Sequence, residues 1–166
     1  MPSIAVRLTR LVLASLVFAS LGLVAACKGS NDVTGTGGSL VRLAVDAPGT
    51  ARSGQQFNID LTAQNIGVTN VRNTAVTVTL AAPLAVNAVN AEAGTTATFA
   101  NTANGATVSW QVNVLDSNST SRLTIQAVGT LAPGAPNLPV AIRAQLTADG
   151  IAPGDSVADT TVTLMH

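Results

Sequence analysis

The stretch FNIDLTAQ at residues 57–64 decides the fold class, because apolar and polar side chains alternate in it without a break. Successive side chains of a β-strand point to opposite faces, so a period of two is typical of a strand with one buried face. The same alternation predicts further strands at residues 41–46, 76–80, 108–114, 122–127, 140–147 and 158–164, with shorter extended pieces at 84–89 and 95–100.

Turn-forming residues separate these runs, including Ala47-Pro48-Gly49, Asn65-Ile66-Gly67 and Ala132-Pro133-Gly134. Asn104-Gly105 is the best hairpin signal, because it suits the positive φ angles of a type I′ turn. No stretch after residue 27 shows the apolar stripe of a helix. The sequence therefore predicts an all-β chain with a single antiparallel β-sandwich of about seven to nine strands over residues 40–166.

The N-terminus has the three parts of an export signal. Arg7 and Arg10 precede an apolar stretch from Leu11 to Leu23, which is shorter than the roughly 20 residues that a membrane-spanning helix needs. The small residues Ala25 and Ala26 then lead to Cys27, the single cysteine of the chain. We predict a signal peptide over residues 1–26 with a helical apolar part, and cleavage between Ala26 and Cys27.

The run Leu23-Val24-Ala25-Ala26-Cys27 resembles the lipobox of bacterial lipoprotein precursors. The resemblance implies that the Cys27 thiol receives a diacylglyceryl group and that the mature chain begins there, anchored to a membrane through lipid. More than one acyl chain is needed for a stable anchor. Lys28 stands where an Asp favours inner-membrane retention, so the outer membrane is the expected location, facing either the periplasm or the cell surface. Residues 27–39 are Gly-, Ser- and Thr-rich and predict a flexible linker.

Charge and composition exclude several functions. The chain has 8 basic and 8 acidic residues, and loss of Arg7 and Arg10 with the signal would leave 6 basic against 8 acidic. Such a balance offers no excess of basic residues of the kind that binds nucleic acid. Phe57, Phe99 and Trp110 are the only aromatic residues after the signal. A core of small side chains indicates a thin sandwich without a roomy ligand pocket.

Catalytic groups are scarce. His166 is the single histidine and the last residue, and Glu92 is the single glutamate, so no triad or paired glutamates can form. We expect no enzymatic activity and no cofactor. Three aspartates near the last turn, Asp149, Asp155 and Asp159, are only weak calcium candidates, because their spacing fits no known calcium loop and solvated turn carboxylates are the simpler explanation.

Several segments resemble the DUF11 and related CARDB-like immunoglobulin-type domains of bacterial surface proteins. They are SGQQFNIDLTAQNIG at 53–67, NTAVTVTL at 73–80 followed by Pro83, ATVSW at 106–110 and STSRLTI at 119–125. The resemblance spans residues 41–165 and implies an immunoglobulin-like sandwich with a stalk, adhesion or assembly role. The sequence departs from the pattern at Leu80-Ala81-Ala82-Pro83, where an Asp is usual, and at residues 154–159.

The predicted function is a non-enzymatic, lipid-anchored structural, adhesion or protein-interaction module of the bacterial envelope. Its partner would be a protein or a surface polymer, met at a sheet edge or at end loops. The alternative is a module that binds carbohydrate or cell-wall polymer through aromatic platforms. Trp110 separates the two, because its inward-alternating position favours core packing over a platform for sugar stacking.

Overall fold

The strands follow the alternating runs of the sequence closely. The computed structural model describes the backbone of residues 32–34 together with residues 40–151 and 156–166. Ala26, Cys27 and Asp155 lie outside these ranges, as does the predicted signal helix. The strands are β1 Asp32–Thr34, β2 Val41–Asp46, β3 Thr50–Arg52, β4 Gln56–Asn65, β5 Val71–Ala81, β6 Leu84–Ala91, β7 Thr96–Thr102, β8 Gly105–Leu115, β9 Thr120–Gly129, β10 Leu138–Thr147 and β11 Val157–Met165.

Two sheets form the sandwich that the alternation predicts. Sheet A has the strand order β1-β2-β4-β9-β6, and sheet B has the order β3-β11-β10-β5-β8-β7. All pairings are antiparallel except β3 with β11, which run parallel. The nine predicted strands correspond to β2 and to β4 through β11. The two additional strands, β1 and β3, have three residues each, too few for an alternation to be recognised.

β1 lies inside the segment predicted as a linker. Its residues Asp32–Thr34 pair antiparallel with Val41–Leu43 at the margin of sheet A. The chain therefore enters the sandwich alongside β2, close to the end where β4 finishes at Asn65, since Val41 lies opposite Asn65. Within the described residues, no helix is long and apolar enough to cross a membrane.

The core lies between the inward faces of the two sheets. Trp110, Ile59, Ile125 and Ile142 are fully buried there, together with a layer of leucine and valine side chains from both sheets. Burial of one such large apolar side chain contributes about 1.5–3 kcal/mol, so this layer is the main source of stability in a chain without a disulfide.

The turn between β7 and β8 differs from its prediction. A hairpin forms there, but its two central residues are Ala103 and Asn104, and positive φ occurs at Gly105 alone. A type I′ turn at Asn104-Gly105 is therefore wrong. Gly105 instead pairs with Thr102, and a Cβ at position 105 would collide with the main-chain oxygen of Leu80 in β5. The glycine is needed for the close approach of two strands.

Candidate interaction surface

The calcium candidates have different partners in the structure. Asp149 lies in the turn after β10, where the Asn73 side-chain amide donates to its Oδ2 at 2.9 Å. Asp159 lies on β11 with its Oδ1 3.9 Å from Nε of Arg143. Asp155 lies outside the described residues, and among those described no three His, Cys, Asp or Glu side chains converge on one point. Calcium binding stays a prediction.

Trp110 is a core residue. It is 0% exposed on the inner face of β8, and its indole N–H donates to Thr95 Oγ1 at 3.1 Å. The Thr95 hydroxyl donates in turn to the carbonyl oxygen of Glu92 at 2.8 Å. This short chain of hydrogen bonds satisfies the buried N–H and fixes the connection between β6 and β7. Trp110 therefore presents no face to a sugar.

The two residues considered as possible catalytic groups have main-chain partners. His166 Nε2 lies 2.9 Å from the carbonyl oxygen of Ala135. Glu92 follows the last residue of β6, and its Oε2 accepts the Arg122 N–H at 3.0 Å, while its own N–H donates to the Arg122 carbonyl oxygen at 3.1 Å. The Glu92 carboxylate thus takes the place of a main-chain acceptor and extends the β6–β9 ladder by one position.

β7 is the outermost strand of sheet B, and its hydrogen-bonding direction follows from its neighbours. The Ala82 N–H donates to the Asn104 oxygen at 3.1 Å, in register with the β5–β8 ladder. Adjacent residues of a strand form their main-chain hydrogen bonds on opposite sides, so the even-numbered residues of β8 bond to β5. The odd-numbered residues of β8 therefore bond to β7, where their partners are the even-numbered residues. Ala97, Phe99 and Asn101 therefore direct their N–H and C=O groups away from β8. We call this side of Thr96–Thr102 the free edge.

The free edge lacks the usual protections against pairing with another chain. β7 is seven residues long and contains no charge and no proline, and its register against β8 has no bulge. Natural edge strands are commonly blunted by such features. Phe99 lies on the inner side of the strand yet is 41% exposed, because among the described strands of sheet B none lies beyond β7 to cover it. The free edge thus combines unused main-chain groups with one accessible aromatic ring.

The neighbouring edge of sheet A is covered at its centre. Asn101 of β7 accepts the Val86 N–H through Oδ1 at 2.9 Å and donates through Nδ2 to the Val86 carbonyl oxygen, also at 2.9 Å. A primary amide has a carbonyl oxygen that accepts and an NH₂ group that donates, so it can replace the C=O and N–H that a residue of a neighbouring strand would offer. The register of β6 against β9 also shifts at Asn87, which distorts the strand locally. We call Val86 and its amide partner the capped edge.

A buried amide also organises the loop between β4 and β5. Asn65 is 0% exposed; its Nδ2 donates to the carbonyl oxygens of Thr69 at 2.7 Å and Leu115 at 3.0 Å, and its Oδ1 accepts the Gly67 N–H at 2.9 Å. This arrangement leaves Val68 in the same loop 79% exposed. The loop is a second, smaller apolar feature at the end of the sandwich where the chain enters.

Open grooves lie on the outer face of sheet A. One of about 230 Å³ is lined by Arg42, Ala44, Thr62 and Gln64. A second, lined by residues that include Asp46, Asn58 and Asp60, holds about 220 Å³. Neither lining contains an aromatic side chain, so these grooves offer no stacking platform for a sugar ring.

Comparison with known proteins supports the fold. No family model matches the sequence, and a search of curated proteins finds no match. The CARDB domain of a Pyrococcus furiosus protein, solved in complex with di-metal ions, is similar with a TM-score of 0.52 and 15% identity, over 76% of this chain and 89% of that chain. A cohesin module from a Clostridium perfringens family 33 glycoside hydrolase has a TM-score of 0.56 and 10% identity, over 81% of this chain and 98% of that one.

At these identities the likeness concerns the fold alone. It confirms the prediction of an immunoglobulin-like, CARDB-like β-sandwich.

Sequence reasoning missed the residues that distinguish the two edges. Period-two alternation places Phe99 and Asn101 on the inner face, but it does not reveal that β7 is the last strand of its sheet. One signal was available in the sequence, since residues 96–102 contain no charged side chain.

Proposed function

We propose that this protein is a lipid-anchored, non-enzymatic interaction module of the bacterial envelope, and that it binds its partner along the free edge of β7. The observation that carries the proposal is the row of main-chain N–H and C=O groups at Ala97, Phe99 and Asn101, directed away from β8. An extended segment that adds to such an edge gains main-chain hydrogen bonds along its length, a recurring mode of recognition. Phe99 supplies an apolar contact beside that row.

The similar structures support the interaction role. A CARDB domain and a cohesin module share this architecture over most of their length. The Trp110 and Glu92 side chains, which a sugar-binding or glycosidase function would need, are engaged in packing and in the β6–β9 ladder. Trp110 and Glu92 therefore give no support to the carbohydrate-binding alternative.

The membrane anchor is supported by the sequence Leu23-Val24-Ala25-Ala26-Cys27. A thioether-linked diacylglyceryl group at Cys27, with a further acyl chain, would hold the domain at the membrane, because each buried methylene contributes about 0.8 kcal/mol. Lys28 favours the outer membrane. The module would then recognise its partner in the periplasm or at the cell surface.

The anchor is tested by producing the full chain in a Gram-negative bacterium that is fed an alkyne-tagged palmitate. The unsubstituted chain should carry the label, enter the detergent phase on Triton X-114 separation and sediment with the outer membrane. Cys27→Ser should lose the label and move to the aqueous phase, while the matched variant Ser30→Ala should behave as the unsubstituted chain. An unlabelled, aqueous unsubstituted chain would overturn the anchor.

The surface is tested by placing a photo-crosslinking phenylalanine analogue at position 99 of the anchored chain, with a control at Thr161. Thr161 is also exposed on sheet B, but it lies in β11 on the far side of the sheet from β7. Irradiation of intact cells should give discrete adducts from position 99 and none from position 161. Equal yields from the two positions, or no adduct from position 99, would contradict binding at the free edge.

A further inference from the structure

The free edge belongs to a group of three neighbouring strands that carry no charged side chain. β6, β7 and β8 contain no Asp, Glu, Lys or Arg. The charged residues of the described domain instead lie on other strands or at loop ends, among them Arg42, Asp60, Arg122, Arg143 and Asp159. The β6–β7 connection holds one charged residue, Glu92, whose carboxylate already accepts the Arg122 N–H. Along the strands themselves a charged peptide would find no complementary group and would lose its own hydration, so the fitting partner is an uncharged strand.

A second copy of this chain presents such a strand. We infer that two copies pair antiparallel through their β7 strands, with a two-fold axis at Phe99, and so join two B sheets into one continuous sheet. The inference deepens the proposed function, since it names the partner of the same free edge. Closed two-fold symmetry is the commonest form of self-association, and two identical edge strands that pair across a two-fold axis run antiparallel.

The hydrogen-bonding direction of β7 agrees with this axis. Antiparallel pairing about Phe99 sets Phe99 opposite its own copy and Ala97 opposite Asn101 of the second copy. These are the residues whose N–H and C=O groups are directed outward, so each such pair can exchange both main-chain hydrogen bonds. A pairing that is shifted by one residue would place each outward-directed residue opposite one whose main-chain groups are already bonded to β8, and it would lose these bonds.

The side chains also fit their symmetry mates. The two Phe99 rings, each 41% exposed, would lie across from one another and cover each other. On the outer face Thr98 would lie opposite Ala100 of the second copy, and at the ends Thr96 would meet Thr102. No pair sets like charges in opposition, which is the arrangement that most disfavours two adjacent strands.

The pairing has a consequence for anchored copies. Because the strands run in opposite directions, the chain-entry ends near Leu40 lie at opposite ends of the dimer. Two copies on one membrane would therefore pair with their strands along the membrane surface. An interface of one edge strand each is small, so the association should be weak in solution and stronger where anchoring confines both copies to one surface.

Register-specific crosslinking tests the pairing. Thr98 and Ala100 form a non-hydrogen-bonded pair across the two-fold axis, with Cα atoms about 4.5 Å apart, within the range for a disulfide. The double variant Thr98→Cys/Ala100→Cys should give a disulfide-linked dimer when membranes holding the full chain are treated with copper phenanthroline. Either single variant should give at least tenfold less, because a residue and its own symmetry mate lie on a diagonal of about 7–8 Å. The lipid proposed at Cys27 would leave that residue without a free thiol.

Matched controls separate pairing from chance collision. Thr107→Cys/Ser109→Cys has the same spacing and the same outer face one strand further in, and it should give no dimer above background. Adding Phe99→Lys to the Thr98→Cys/Ala100→Cys variant places two ammonium groups on the axis and should lower the dimer yield at least tenfold, whereas Phe99→Leu, which keeps an apolar side chain there, should lower it much less. The buried Trp110 emission reports that each variant is folded.

Three outcomes would overturn self-pairing: no dimer above the β8 control, equal yields from single and double variants, or disulfides formed only with another protein. Failure of the anchor has a separate readout, because the same samples are divided between detergent and aqueous phases. If the chain proves to be unanchored, the purified full chain with Cys27→Ser is oxidised at increasing concentration. The same ranking of variants then decides the pairing.

Discussion

The two strand edges on one side of the sandwich differ in whether their outward main-chain groups are hydrogen-bonded. At the capped edge of sheet A, the Asn101 amide supplies both an acceptor and a donor to Val86. At the free edge of sheet B, Ala97 and Phe99 direct the same kinds of groups away from their sheet. The same strand, β7, supplies the side chain that covers one edge and the backbone that leaves the other edge available. An edge can therefore be closed by one residue of suitable shape, without a further strand.

The difference separates one unprotected edge from the protected edges of the same sandwich. An unprotected edge is a hazard for any β-protein, and most edges here are short, distorted or capped. β3 has three residues, and β6 has its register shift at Asn87 and the Asn101 cap. Beyond the end of β6, Glu92 covers the Arg122 N–H. The exception is the seven-residue β7, and an exception of this length is expected where the edge has a partner.

The largest effect should come from Trp110, which supports both edges. It packs beneath β7 opposite Ala97 and bonds to Thr95 in the β6–β7 connection. Trp110→Ala should lower the free energy of unfolding by about 3–5 kcal/mol, because a large buried ring is replaced by a cavity. Urea unfolding followed by far-UV circular dichroism measures the loss. A folded, nearly unperturbed variant would contradict the core role of Trp110.

Trp110→Phe is the matched control for the hydrogen bond to Thr95. It keeps most of the apolar packing and removes only the indole N–H together with part of the ring. Its loss of stability should be clearly smaller than that of Trp110→Ala. The difference between the two variants divides the contribution of Trp110 into packing and the anchoring of the β6–β7 connection.

Asn101→Leu should convert the capped edge into a second free edge. It leaves the N–H and the C=O of Val86 without their amide partner, and we expect a loss of about 1–2 kcal/mol, the cost of unmade hydrogen bonds at a partly buried site. Hydrogen exchange at the Val86 amide should accelerate, and aggregation at high concentration should increase. Asn90→Leu, at an exposed position of β6, the strand that contains Val86, is the control and should change neither the exchange rate nor the aggregation. Equal exchange at Val86 in all three chains would show that the amide cap is dispensable.

Much of this architecture could be predicted from the sequence, because period-two alternation constrains each inner position separately. The inward runs containing Leu43, Ile59, Val78, Trp110 and Ile142 all reach the core. The pattern also placed Thr98 and Ala100 in an extended piece. The resemblance to CARDB-like domains gave the correct fold. The expectations for residues 1–26 and for lipid at Cys27 concern a part of the chain that the structure does not describe, and they stay predictions.

The edges could not be predicted, because they depend on contacts between distant residues and on strand order. Asn101 bonds to Val86 across 15 positions, and Asn65 bonds to Leu115 across 50. No local pattern distinguishes these amides from the exposed asparagines of turns. Phe99 has the alternation of a core residue, and it remains accessible because sheet B ends at its strand. Strand order is set by the total packing of both sheets, which a single run of sequence does not contain.

The smallest effect should come from Glu92, which extends the capped edge by a carboxylate instead of an amide. Glu92→Ala removes the acceptor of the Arg122 N–H, and we expect a loss of about 0.5–1 kcal/mol, since the site is exposed and water can replace the oxygen. Glu92→Gln keeps an acceptor oxygen and should retain most of that stability. Amide exchange at Arg122 should rise in Glu92→Ala and change little in Glu92→Gln. If both variants exchange equally fast, charge is what makes the cap effective; if neither differs from the unsubstituted chain, the carboxylate contributes nothing and Asn101 alone closes that edge.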